Sequence, residues 1–223
     1  MSTQTFADRR SLEGAKPGVV VVGGLLALMW VLEIIDSASF HALDQLGIIA
    51  RNIGSLPHIL TAPWLHFGFP HLISNSVPFL ILGLLTWLAG PGRWLAVTLI
   101  TVVTSGLTVW LIAPSNTITL GASGLVFGYL AYLLVRGFFT RNIWEIALSV
   151  AVFFFYGSIL LGVLPGASGV SWQGHLGGLI VGGIVAAVYA WAPRGRRQTV
   201  GIVGTVAVAV LLVGLNIARA LIV

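Results

Sequence analysis

Seven stretches of this chain are apolar over about the length needed to cross a bilayer, and nothing else in the sequence limits its folds so strongly. They run Gly18 to Ile35, His71 to Ala89, Trp94 to Ala113, Gly121 to Val135, Ile143 to Leu164, Gly174 to Trp191 and Val200 to Ile217. A helix rising 1.5 Å per residue needs about 20 apolar residues to span roughly 30 Å of hydrocarbon. Composition agrees, with 57% of residues apolar and 8% charged, against about 25% charged in soluble domains. So few charges cannot cover a water-soluble monomer, and Gly at 28 positions suits close helix packing in lipid. The expected fold class is all-α, a polytopic membrane helix bundle of seven spans.

Orientation follows from the basic residues. With the N-terminus in the cytoplasm, Arg9, Arg10, Lys16, Arg93, Arg136, Arg141, Arg194, Arg196 and Arg197 fall inside, and only Arg51 and Arg219 fall outside. The net charge of +5 is thus mostly the positive-inside bias, and no nucleic-acid partner is expected. The first span runs into Glu33 and Asp36 without a small-x-small cleavage site, so it reads as a retained span. The absence of Cys removes disulfides, Cys-type zinc sites and thiol nucleophiles. One connection is long, the 35 residues from Asp36 to Pro70 on the outer side. Its Phe40, Leu43, Leu46, Ile48, Ile49, Leu60, Trp64, Leu65, Phe67 and Phe69 predict an amphipathic, partly re-entrant segment at the interface.

Polar side chains within spans are costly and are functional candidates by default. Three groups qualify. His71 and Asn75, four apart after Pro70, share one face of the second span. Gly121-Ala-Ser123-Gly124 opens the fourth span, where free backbone N–H groups and the positive dipole end stabilise an anion. Gly174-His175-Leu-Gly-Gly178 opens the sixth on a glycine stripe that Gly182 continues. Arg136 is 13 residues from Ser123, about 20 Å of helix, so Ser123 starts below the outer surface and must line a water-filled cavity. Gly124 and Gly128 facing Gly178 and Gly182 would draw Ser123 and His175 together as nucleophile and general base. None of the six acids is near either residue in sequence, which favours a dyad, with His71, Asn75 and the Ser123 N–H as oxyanion-hole donors.

With these residues in place, the chain resembles a rhomboid intramembrane serine protease. The resemblance rests on His66-x4-His71-x3-Asn75, Gly121-x-Ser123-Gly124 and Gly174-His175-x2-Gly178. It implies a short cytoplasmic segment over 1–17, a six-helix catalytic core over 18–191, and a basic link with one extra helix over 192–223. It also implies Ser123 as nucleophile, His175 as base, and His71 and Asn75 as oxyanion donors; His66, Gly121, Gly124, Phe127, Gly174 and Gly178 would support the site. The implied substrates are single-span membrane proteins cut in or beside their transmembrane helix, without cofactor or metal, from an active site opening to the outer face. A multi-pass protein of a bacterial plasma membrane is expected, with its N-terminus cytoplasmic, its C-terminus outside and its oligomeric state open. Two departures stand out. The Trp-Arg pair frequent in the long loop of the family is absent, with Pro57-His58 near its place, and Phe127 stands where a tyrosine is common.

Rival readings exist. A zinc-dependent seven-helix hydrolase would ligate metal through His66, His71 and His175, but the five-residue separation of His66 and His71 misses helical i, i+4 spacing. A non-catalytic rhomboid-like protein that binds membrane clients normally lacks the serine or the histidine. His66 reads more readily as a structural hydrogen bonder, His41 and His58 as interfacial residues, Trp64, Phe67 and Phe69 as interface anchors, and Glu145 as a snorkelling or paired acid.

Overall fold

The computed structural model describes residues 6–115, 117–140, 142–166 and 169–191, with side chains from Ala15 onward. Among the described residues, six helices are long and apolar enough to cross a membrane. They are α1 (Phe6–Ala38), α2 (Phe69–Leu88), α3 (Pro91–Ile112), α4 (Ser123–Thr140), α5 (Ile143–Tyr156) and α6 (Trp172–Trp191). A 3-10 stretch, Gly157–Val163, prolongs α5. The expected span from Val200 to Ile217 lies outside the described residues.

Several boundaries differ from those that apolarity alone suggests. Helix α2 starts at Phe69, ahead of His71, because Gly68 at φ +84° turns the chain and Pro70 fits the first turn. Gly90 at φ +132° followed by Pro91 starts α3 in the same way. Helix α4 continues past Val135 to Thr140, since the charge of Arg136 is met by Glu145 of α5 instead of ending the helix. Asn142 caps α5, its side chain accepting the Trp144 N–H at 2.9 Å.

Helix α4 is the most enclosed of the six. It packs most extensively on α6, where glycines bring the backbones together. A Cβ on Gly178 would overlap the Gly124 carbonyl oxygen, and one on Gly182 would overlap that of Gly128. The paired glycine faces therefore meet as the spacing predicts. Helix α5 is the opposite case. Val152 is its one buried residue, while Val150, Phe153, Phe154 and Phe155 are exposed apolar side chains suited to lipid.

The long segment before α2, expected as an interfacial, partly re-entrant stretch, has a defined fold of its own. It is a compact platform of 3-10 turns (Ala42–Leu46, Ile53–Ile59, Ala62–Trp64) and a two-residue strand. That strand, β1 (Ile48–Ile49), pairs antiparallel with β2 (Ile118–Thr119), matching Ile48 with Thr119 and Ile49 with Ile118. Ile48, Ala50, Ile59, Ala62 and Leu65 are buried and hold the platform together, while Phe40, Leu46, Leu60, Phe67 and Phe69, all among the residues that suggested lipid contact, remain exposed. Arg51 donates to the Ala113 carbonyl at 2.7 Å, placing a cation at the C-terminus of α3. Trp110 returns a bond from Nε1 to the Asn52 carbonyl at 2.8 Å. Where the family's Trp-Arg pair is missing, His58 Nδ1 donates to the Gly47 carbonyl at 2.9 Å and ties the platform internally.

Candidate active site

Helix α2, strand β2, α4, the 3-10 stretch after α5 and α6 meet around one cavity of about 870 Å³, whose lining includes His71, Ser74, Asn75, Pro78, Ser123, Phe127, Gly162 and His175. Its wall reaches Pro78, nine residues into α2 and so about 13 Å along that helix. Pro78 has no N–H, which leaves the Ser74 carbonyl without its helical partner. Such a group is tolerated at membrane depth where it lines a cavity.

Ser123 is the first residue of α4. The chain reaches it through Gly121, at φ +127°, where a Cβ would come within 2.9 Å of His71 Nε2; only glycine suits both the turn and the contact. The platform takes up the two amides just before the serine. Gly121 N–H donates to the Ala62 carbonyl at 2.9 Å, and Ala122 N–H donates to His66 Nε2 at 3.3 Å. Ser123, half-buried, thus carries the first amide past those two, and at the start of a helix it has no i−4 acceptor. Among the described residues, neither its amide nor its hydroxyl holds a hydrogen bond.

His66 is buried, and its role as an acceptor requires a neutral ring. Burial, helped by the nearby His71, pushes its pKa down to about 3, so it stays neutral and keeps its lone pair on the Ala122 amide. The structural role suggested for His66 is the one its contacts describe.

His175, the fourth residue of α6, lies flat on Phe127, with ring centroids 4.2 Å apart and planes 12° from parallel. Its Nδ1 is 2.8 Å from the Gly162 carbonyl. A carbonyl only accepts, so Nδ1 carries the proton, and in the neutral ring Nε2 is left with the free lone pair. The ring is therefore oriented by a backbone carbonyl and an aromatic face, and Phe127 needs no hydroxyl for this. Sequence reasoning missed the Gly162 carbonyl, because any residue supplies a carbonyl and the 3-10 turn that aims it has no side-chain signature. Gly162 itself is tightly held: a Cβ there would stand 3.1 Å from both His175 Nδ1 and Phe127 Cζ. No hydrogen bond joins Ser123 to His175 in this structure, as is common before a substrate tightens such a pair.

His71 Nδ1 accepts the Phe67 N–H at 3.3 Å, which puts the proton of the neutral ring on Nε2, beside Gly121. Phe67 also stacks on His71 and lines the cavity, a site role beyond the interface anchor expected of it. Asn75 donates one amide hydrogen to the His71 carbonyl at 3.0 Å and keeps a second N–H to offer. Behind the site, Ser105 of α3 donates to the Gly174 carbonyl at 2.8 Å, and a Cβ on Gly124 would collide with that same hydroxyl. Gly124 and Gly174 thus fix the relative positions of the residues that carry Ser123 and His175.

The chain matches the family model for the Rhomboid domain over residues 54–192. It is similar to an uncharacterised protein of Mycobacterium tuberculosis, 42% identical over 191 residues, 80% of this chain and 79% of the relative. An uncharacterised protein of Mycobacterium leprae is 41% identical over 196 residues, 84% of this chain and 77% of the relative. The Rhomboid-like protease 5 of Toxoplasma gondii is 32% identical over 157 residues, 66% of this chain and 18% of that longer protein.

Proposed function

Since the chain belongs to the rhomboid family, whose members are generally serine intramembrane proteases, we propose that it is an intramembrane serine endopeptidase acting through Ser123 and His175. The observation that carries this reading is the tautomer of His175, whose Nδ1–H is occupied by Gly162 while Nε2 is free in the cavity that Ser123 lines.

In the first step Ser123 Oγ adds to the scissile carbonyl carbon as its proton passes to His175 Nε2. The oxyanion formed is met by the Ser123 amide, the Nε2–H of His71 and the uncommitted N–H of Asn75. Collapse breaks the peptide bond, and the leaving amine takes the proton from His175. Water then gives a proton to the same nitrogen as its oxygen attacks the acyl-serine; the acyl–Oγ bond breaks, the proton passes from His175 back to Ser123 Oγ, and the new C-terminus leaves as the carboxylic acid. The cavity, which carries Ser74, Asn75, Ser123 and His175 in its wall, gives that water a place beside the serine.

The substrates proposed are single-span membrane proteins cut within or beside their transmembrane helix. The site opens outward from a bacterial plasma membrane, with the N-terminus in the cytoplasm. The test is fluorophosphonate labelling of the detergent-solubilised chain, comparing wild type with folded Ser123→Ala and His175→Ala, with and without a chelator. Labelling that needs both residues and ignores the chelator is expected. Undiminished labelling in Ser123→Ala would overturn the mechanism, and loss of labelling with chelator would favour a metal-dependent one.

A further inference from the structure

Away from the Ser123 cavity, at the loop end of α1, four ionisable side chains converge: Glu33 and Asp36 on one face of the helix, and His41 and Asp44 from the chain that follows it. None of them lines the catalytic cavity. Beyond Ala38 the chain doubles back through Phe40 and His41, both at positive φ, and the His41 amide bonds the Asp36 carbonyl at 2.8 Å. This turn sets His41 Nδ1 2.9 Å from Asp36 Oδ2 and 4.0 Å from Asp44 Oδ2. One ligand atom from each of the three lies within 4.8 Å of the others, and among the described residues this is the group of His, Asp and Glu that converges in this way.

The independent observation is Glu33. It is only 2% exposed, and neither of its carboxylate oxygens has a hydrogen-bond partner. Ser37 is near it but closes no bond, while the charges of Asp36, Asp44 and His41 all act on it. Asp44 Oδ1 is likewise buried and unpartnered. Three carboxylates with a single imidazole, most of them out of water, leave negative charge uncompensated, a costly arrangement unless something positive joins them.

We infer that Asp36, His41 and Asp44, with Glu33 completing the charge, form a binding site for one divalent transition-metal ion of the zinc or manganese type. The donor set selects this class, because the imidazole nitrogen disfavours calcium and magnesium and the carboxylates disfavour softer ions. Ligands at about 2.0–2.1 Å from a tetrahedral ion are about 3.3 Å apart, between the two separations seen here, so small side-chain rotations suffice. His41 is more than half exposed, which gives the ion a way in. Bound there, it would staple the platform to α1, and the same platform supplies the Ala62 carbonyl and His66 that hold the amides before Ser123.

The test uses the full tag-free chain in detergent, stripped with chelator and then given manganese or zinc chloride alone. Free manganese is read by electron paramagnetic resonance, and retained zinc by elemental analysis after gel filtration. One equivalent bound per chain and a raised thermal midpoint are expected. His41→Gly, which keeps the positive φ, and Asp44→Asn should each weaken binding by about tenfold or more. Asp44→Asn keeps the shape of the side chain, so its metal-free form should unfold near the stripped wild type; His41→Gly also removes a hydrogen bond to Asp36, so its metal-induced shift is read against its own metal-free midpoint. No retained metal in folded wild type, or equal binding in both variants, which would mean an adventitious ion only, would overturn the inference. A carboxylic-acid infrared band that disappears in Glu33→Gln but persists at saturating metal would also overturn it, by showing that a proton compensates Glu33.

Discussion

The proposed oxyanion donors differ in how freely each can give a hydrogen. Asn75 already commits one N–H to its own helix, so a single hydrogen is available for the reaction. Asn75→Ala should therefore lower kcat by about 10²- to 10³-fold, corresponding to about 3–4 kcal/mol, with residual cleavage from the remaining donors. A rate assay on the folded variant with any cleaved substrate checks this, and an unchanged kcat would remove Asn75 from the hole. His66 makes a prediction about pH. Its folded pKa of about 3 lies below the usual 6.5, so between these values the unfolded chain binds more protons than the folded one. The stability this neutral ring contributes is fully present above about pH 6.5 and is lost as pH falls toward 3. Thermal midpoints measured down that range should fall, and the fall should be shallower in His66→Gln. Side-chain chemistry of this kind was legible beforehand, since Ser123, His175, His71 and Asn75 each announce themselves as polar groups in apolar runs. The Gly162 carbonyl and the Phe67 amide were not, because backbone groups have no letter in a sequence.

Between elements, the closest approach is that of α4 and α6. Gly178→Leu would drive a side chain into the Gly124 carbonyl, so the helices must separate or the variant must not fold. A loss of about 3 kcal/mol or more is expected, as overpacking of a tight contact usually costs 1–3 kcal/mol and here the obstacle is backbone. Thermal unfolding in detergent measures it, and a midpoint within error of wild type would refute the packing argument. That glycine stripe could be read from its four-residue period, and the six described spans from the length of their apolar runs. The platform could not. Its apolar residues satisfy an interfacial reading equally well, and the ladder of β1 with β2 joins residues about 70 apart that carry no pairing signal of their own.

For the molecule as a whole, the orientation proposed puts the Ser123 cavity on the side opposite most of the basic residues. Residues flanking α4 and α5 carry part of that bias, and Arg136 spends its charge on Glu145 at the end of the bundle away from the cavity. Reporter fusions and labelling of single introduced cysteines should find the 42–64 platform outside and the α4–α5 turn inside. The reverse pattern would invert the proposed access of substrate. What the sequence by itself determined was the solvent this protein folds in, its described spans and which polar side chains are candidates for the chemistry, because hydrophobicity and functional-group chemistry are properties of each residue. Only the tertiary structure decided how those side chains are held: a carbonyl on His175, an amide on His71, a platform gripping the turn before Ser123, and an acidic cluster gathered at the end of α1. Each of these depends on distances between segments far apart in the chain, which packing sets and composition does not encode.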